Sequence, residues 1–401
     1  MDAERAIGAV PSPAGQRANT APTPRRVLMT ADTVGGVWQY ALELCRELTR
    51  GDVEVMLATM GALPSRDQRA EADAIAGLTL HPTAYRLLWM DDPWADVQRA
   101  GDWLQALAAD VRPHIVHLND YAHATLPWPA PVLVVAHSCV LSWWQAVRGM
   151  PAPPAWARYG ARVRRGLHAA DLVVAPTQAM LDAVVRHYGH LPSTAVIANG
   201  RAMPASEVRR EPLVLSAGRL WDDAKNVAAL AAVAPRLPWP VCIAGEQRHP
   251  DGIPRAALPN VQLPGRLTSA QLAHWFARAS IYALPARYEP FGLSALEAAL
   301  SGCALVLGDI PSLREVWGDA ALYVAPDDHD ALADVLLRLI GDADLRARQA
   351  QRAVVRARRY SPSAMADGYR DAYAALLAQG ERYRPVPTGR SPRLAMAGVS
   401  P

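Results

Sequence analysis

Near-continuous apolar runs, each followed by a turn and then by apolar residues at helical spacing, recur along most of the chain. The first is VLMTA (27–31); the loop DTVGG follows, and then VWQYALELCREL (37–48), whose apolar period predicts a helix. VEVMLAT (53–59), HIVHL (114–118), PVLVVAH (131–137), DLVVAP (171–176) and TAVIAN (194–199) predict further strands. Strands that are apolar on both faces belong to parallel sheets covered by helices on each side. Residues 25–203 therefore predict one Rossmann-like domain.

A polar, Gly/Pro-punctuated stretch over 200–212 breaks the pattern and predicts a linker, placed at 204–212. The pattern then restarts with LVLSAG (213–218), VCIAG (241–245), VQLPG (261–265), IYALP (281–285), ALVLG (304–308) and AALYVAP (320–326). Helices are expected at 226–235, 269–279, 294–301, 330–340 and 343–357. Residues 213–360 thus predict a second α/β domain of the same class. Two such domains place a cleft between the carboxyl ends of two parallel sheets, where sheets of this kind bind ligands. A break at Ser361-Pro362 precedes a last helix, 361–379, expected to leave the second domain and pack elsewhere. Residues 1–24 are expected to be a disordered leader, and 380–401 an irregular tail.

Composition narrows the function. A 401-residue chain with 51% hydrophobic and 20% charged residues is globular and long enough for two cores. Its net charge of +3 and its scattered tryptophans argue against a nucleic-acid partner. The four cysteines, Cys45, Cys139, Cys242 and Cys303, lie far apart with no metal-ligand spacing, so reduced thiols and a cytoplasmic location are expected. The leader has no apolar core of a secretory signal, and no apolar run approaches the length that spans a bilayer. The stretch 148–165 holds five arginines and no acid; an anionic membrane or charged acceptor would suit it, but a solvated face is the simpler reading. Lys225 is the only lysine among 41 basic residues, which suggests a place that needs a compact point charge rather than a planar fork.

Several residues fall where chemistry is expected. Gly35-Gly36 opens the first helix and allows a backbone to approach an anion, although GxGxxG is absent and no acidic residue ends the next strand, against a dinucleotide site. Arg219 and Lys225 bracket the loop after the first strand of the second domain, a pairing able to clamp a diphosphate. Asp222 and Asp223 beside them are adjacent rather than DxD, so no metal site is expected. In ARYEPFGLSALEAALSG (286–302), Glu289 precedes a turn at Phe291-Gly292-Leu293, and Glu297 follows just inside the next helix. That order offers a carboxylate, free backbone N–H groups and a second carboxylate, which suits a sugar, a phosphate and a ribose. His137, at the end of its strand, is expected to face the cleft; Trp143 and Trp144 either wall an acceptor pocket or simply pack. His117, Asn119 and His123 near the end of another strand are weaker candidates.

These motifs resemble those of the retaining, GT-B glycosyltransferases of family 4, the glycogen-synthase-like and mannosyltransferase-like group, from about Arg25 to Gln379. The resemblance rests on E-x7-E at Glu289 and Glu297, Gly218-Arg219-Leu220, the Gly35-Gly36 loop, His137, and Pro264-Gly265-Arg266. It implies a GT-B architecture in which a hexose passes with retained configuration from a nucleotide-diphosphate sugar to a hydroxyl acceptor, without metal. The base (UDP, GDP or ADP) and the acceptor (glycan, lipid-linked or small molecule) stay open. By resemblance Arg219, Lys225, the amides around Gly292 and Leu293, and Gly35-Gly36 hold the diphosphate. Glu289 would hold the sugar, Glu297 the ribose, Arg266 the base, and His137 would sit by sugar and acceptor. The final helix would cross back to the N-terminal domain. The loop from Arg219 to Lys225 is one residue longer than is common in the family, and Asn226 stands where Gly usually follows. A nucleotide-sugar epimerase, an NAD-dependent enzyme and a non-catalytic relative are the alternatives.

Overall fold

A computed structural model describes residues 23–205, 208–249 and 258–379. Residues 1–22 of the expected leader and all of the expected tail lie outside them. The first half runs β1 (Arg26–Asp32), α1 (Gly36–Thr49), β2 (Glu54–Met60), α2 (Arg66–Asp73), β3 (Leu78–Pro82), α3 (Trp94–Val111), β4 (Ile115–Leu118), β5 (Val132–Val135), α4 (Val140–Arg148), α5 (Ala157–Ala169), β6 (Leu172–Ala175), α6 (Gln178–Tyr188) and β7 (Thr194–Val196). The second runs β8 (Glu211–Ala217), α7 (Val227–Val233), β9 (Val241–Ala244), β10 (Gln262–Gly265), α8 (Ser269–Arg278), β11 (Ala279–Leu284), α9 (Leu293–Leu300), β12 (Ala304–Gly308), α10 (Pro311–Trp317), β13 (Leu322–Val324), α11 (His329–Gly341), α12 (Ala343–Ala357) and α13 (Pro362–Ala378).

All strand pairs are parallel. The sheet orders are β3-β2-β1-β4-β5-β6-β7 and β10-β9-β8-β11-β12-β13. Each order reverses beside its first strand, between β1 and β4 and between β8 and β11. Loops leaving neighbouring strands diverge at such a reversal and open a crevice, so each sheet presents one ligand-binding position. Central strands are buried on both faces, as in β1 and β11, which is why their sequences are continuous apolar runs rather than alternating ones.

Details depart from the expectations. β3 is a partly exposed edge strand that its short LTLHP sequence did not announce. Strand β5 stops at Val135, two residues before His137, because Ala136 N–H makes the last bond to β6, at Val174 O. β8 begins at Glu211, inside the expected linker: Arg278 holds the Glu211 carboxylate at 2.8 Å, and Ser280 donates to its carbonyl.

The two chain crossings between the halves touch each other. Gly200 lies so close to Ser361 that a Cβ would sit 2.2 Å from its carbonyl oxygen, and Arg201 N–H donates to Tyr360 O. Beyond that point α13 lies on α1, in the core of the first half. His117, buried in β4, is held between Tyr40 OH at 3.2 Å and Tyr373 OH at 2.6 Å. Its place is therefore structural, as is that of buried His123, which bridges Asp120 and Val97 O.

Candidate active site

The two reversal points face each other across a cavity of about 1340 Å³, lined by both halves of the chain. This volume exceeds the roughly 300–1,000 Å³ of a typical single-ligand pocket.

The wall from the second half begins at the end of β8. The Lys225 stem packs over Gly218, where a Cβ would lie 3.5 Å from three of its carbons, an ordinary packing distance. The extra loop residue is taken up in a 3-10 turn, Asp223–Lys225, capped by Asp222 accepting from Ala224 N–H at 3.0 Å. Asn226 then adopts a left-handed conformation with φ 52°, which explains why glycine would suit this position. Asparagine tolerates that conformation, and its side-chain amide donates to Pro285 O and Pro326 O. The longer loop thus returns Lys225 to the cavity, where its ammonium pairs with Glu289. Arg219 pairs with Asp222 at 2.8 Å. Burial works against the Asp222 carboxylate, but Arg219, Lys225 and the Trp143 N–H hold its pKa below the ordinary value.

Glu289 also closes the turn that follows it. Its Oε1 accepts from Gly292 N–H at 2.9 Å, and Gly292, at φ 90°, directs the chain into α9. The Gly292 amide is therefore not free, contrary to the sequence reading; the open helix N–H groups begin at Leu293. Phe291 borders the cavity, but its ring is buried against Tyr360. Glu297 reaches the cavity from α9 with Oε1 bound to Arg201 Nε at 2.7 Å. Burial raises the Glu297 pKa, and Arg201 pulls against that rise. Arg201 also binds Glu43 at 2.5 Å, so one buried guanidinium ties α1, α9 and the chain crossing together. Sequence reasoning passed over Arg201 because it stands in an unpatterned segment. Arg266 is exposed and lies outside the cavity lining.

The wall from the first half is different in kind. At Gly35 a Cβ would lie 3.4 Å from Arg219 Nη1, and at Gly36 3.4 Å from Leu293 Cδ1. The glycine pair thus sits where the opposite wall approaches. His137 lines the cavity with its ring edge-on to Tyr40. Asn119 Nδ2 donates to Thr30 O, which turns Oδ1 toward His137 Nε2 at 2.8 Å. Nε2 therefore carries the proton and Nδ1 keeps its lone pair. Burial lowers the His137 pKa to about 3, so the ring is neutral at neutral pH. Two further lining residues were not anticipated. Asp32, the last residue of β1, accepts from Val34 N–H, and burial raises its pKa. Asn199 is buried with Oδ1 unpartnered among the described residues. An Asn-Gly pair directly after an apolar strand was the available signal.

The walls are fastened to each other at the rim. Trp143 Nε1 donates to Asp222 at 2.9 Å, and Arg148 pairs with Asp223 at 2.5 Å. Tyr288 OH accepts from Cys139 N–H, and Glu315 accepts from Gln178 and Ala179 N–H at the start of α6. Among the described residues no group of three or more His, Cys, Asp or Glu is placed to hold a metal ion. None of their helices is long and apolar enough to cross a membrane.

Comparison with known proteins places these features in a family. Residues 34–201 match the model of Glycosyltransferase Family 4, and residues 211–342 match that of Glycosyl transferases group 1. A D-inositol 3-phosphate glycosyltransferase of Streptomyces scabiei is 26% identical over 93% of this chain and 96% of its own length. The O-antigen chain mannosyltransferase B of Escherichia coli is 28% identical over 40% of this chain, and the match spans only 36% of that protein. A crystal structure of Anabaena HepE with UDP-glucose superposes with a TM-score of 0.69 over 88% of this chain and 100% of that one, a likeness of fold at 16% identity. With a glycosyltransferase model matched on each side of the chain crossing and two facing parallel sheets between them, the chain belongs to the GT-B glycosyltransferases of family 4.

Proposed function

We propose that the protein transfers a hexose from a nucleotide-diphosphate sugar to a hydroxyl acceptor with retention of anomeric configuration. The observation that carries the reading is the cluster of Arg219, Lys225 and Glu289 at one sheet reversal, facing His137 and Gly35-Gly36 at the other. Arg219 and Lys225 hold the diphosphate, with the N–H groups from Leu293 onward and the Gly35-Gly36 loop beside it. Lys225 leaves Glu289 for the phosphate when the donor enters, which frees the Glu289 Oε2 for sugar hydroxyls. Glu297 takes the ribose, and His137 accepts a hydroxyl hydrogen bond at Nδ1. Arg266, if it meets the base, does so from outside the present lining.

The bond from the anomeric carbon to the phosphate oxygen breaks as the acceptor oxygen approaches the same face. The departing phosphate oxygen takes the acceptor proton. Negative charge grows on the diphosphate, so preorganised cations lower the barrier there; two positive side chains supply what a divalent metal otherwise would. Four buried free cysteines suit a reducing compartment, and we place the enzyme in the cytoplasm.

A panel of UDP-glucose, GDP-mannose and ADP-glucose tests the reading by release of nucleoside diphosphate. One donor should be cleaved, with the product anomer matching the donor's by NMR. Interconversion of sugars without diphosphate release would mean an epimerase instead.

A further inference from the structure

The first half of the chain lines its side of the cavity with Trp89, Trp94, Trp143, Trp144 and Trp156. Indole faces receive flat apolar surfaces, such as an aromatic ring or the C–H face of a pyranose. Two of these faces already carry guanidinium groups: Arg158, outside the lining, lies over the Trp94 ring at 3.9 Å, and Arg148 lies over Trp143 at 5.3 Å. Among the lining residues themselves the charges are one-sided. This half contributes Asp32, Asp91, Asp92 and Asp120 to the lining against a single arginine, Arg148. Arg148 is already paired with Asp223 across the rim. Asp120 is offset by His123 at 2.8 Å, and Asp32 by one backbone N–H, while Asp91 and Asp92 are exposed on the segment between Met90 and Trp94. The remaining lining cations, Arg219 and Lys225, stand on the opposite wall in ion pairs of their own. An anionic acceptor entering here meets carboxylates and, among the described lining residues, no uncommitted lysine or arginine. Like charges set against each other discriminate strongly between partners.

We infer that the acceptor is an uncharged, ring-bearing hydroxyl compound and that phosphorylated acceptors are excluded. Indole faces select its ring, and Asp91 and Asp92 repel anions at the entrance. The inference rests on the glycosyltransferase reading above and names its second substrate. Two sources share this chemistry: an aryl compound and a neutral glycan.

With the donor that the panel selects, kcat/KM is measured for 4-nitrophenyl β-glucoside, maltotriose and inositol 3-phosphate. One neutral acceptor should exceed inositol 3-phosphate by tenfold or more, and which one does separates aryl from glycan. The W89A/W144A double variant should raise the KM for that acceptor roughly tenfold, the loss of one or two stacking contacts, with donor KM unchanged. The D91N/D92N variant should narrow the gap between neutral and phosphorylated acceptors. Equal or faster transfer to inositol 3-phosphate overturns the inference, as does diphosphate release that neither neutral acceptor accelerates. Those outcomes leave the donor reading standing; no diphosphate release from any donor removes both.

Discussion

The two walls of the cavity solve different recognition problems. On the second-half wall every charged side chain has a partner: Lys225 with Glu289, Arg219 with Asp222, Glu297 with Arg201. The first-half wall is built mainly of indoles, a neutral imidazole and glycines, with Asp32, Asp91, Asp92, Asp120 and Arg148 set among them. A diphosphate has fixed charge and geometry, so its site needs particular atoms at particular spacings. A flat apolar surface can be met by rings from several elements. The charged wall is therefore written in local motifs, and the aromatic wall is assembled from positions scattered between Trp89 and Trp156.

Lys225→Ala gives the sharpest test of the contrast. Removing an ammonium that stabilises the leaving diphosphate should lower kcat about 10²- to 10³-fold. Lys225→Arg should not restore it, since a planar fork must fit beside Gly218 and Glu289. Both variants must melt like the parent, because the change also strips a buried carboxylate of its partner. A kcat near that of the parent for Lys225→Ala would erase the distinction between the walls.

Glu297→Ala should weaken donor binding by about 1.5–3 kcal/mol, the range for a hydrogen bond to a charged group. Calorimetric titration reads this directly, and an unchanged Kd in a folded variant would remove the ribose from Glu297. Arg201 loses one of its two partners in this variant, so melting is checked alongside.

The aromatic wall makes its own prediction through pH. Burial drives the pKa values of His117 and His137 to about 3, against about 6.5 in an unfolded chain. Between these values the unfolded chain binds more protons, so stability falls as pH drops from 6.5 toward 3. Each histidine contributes up to about 1.4 kcal/mol per pH unit in that window. Glu297 and Asp32, whose pKa values burial raises, act in the opposite sense above their ordinary carboxylate range, and equally in parent and variant. Denaturant midpoints at pH 7 and 5.5 should therefore differ less in His137→Gln than in the parent. An equal difference would show that the imidazole is not held neutral.

The smallest expected effect is that of chelation. If Arg219 and Lys225 supply the positive charge, exhaustive chelation leaves turnover unchanged. Loss of activity that magnesium or manganese restores would show that the charged wall is incomplete by itself.

The sequence was most legible where burial leaves little choice. Both-face burial made the central strands readable as apolar runs, and Glu289, Glu297, Arg219 and Lys225 stood out by spacing or rarity. Other features depended on three-dimensional meetings. Arg201 gains its meaning from Glu43 and Glu297, far away in the chain. The Gly292 amide was expected to be free because nothing local says that Glu289 turns back on it. Strand β3 and helix α10 are too short to establish a period, and the role of Asn226 appeared only with its backbone angle.

Helix α13 has a consequence for how the protein is made. Tyr369 and Tyr373 complete the core around Tyr40 and His117, so the domain translated first lacks a piece that is translated last. On the ribosome it must wait, with the α1 face uncovered, until residue 378 has emerged. Domains generally fold as units in order of synthesis, but here the first can only be finished after the second has been made. Truncation after Tyr360 would leave the second sheet intact and expose the interior of the first. An aggregation-prone N-terminal half, rescued by supplying the 361–379 peptide in trans, would be the mark of this interrupted order.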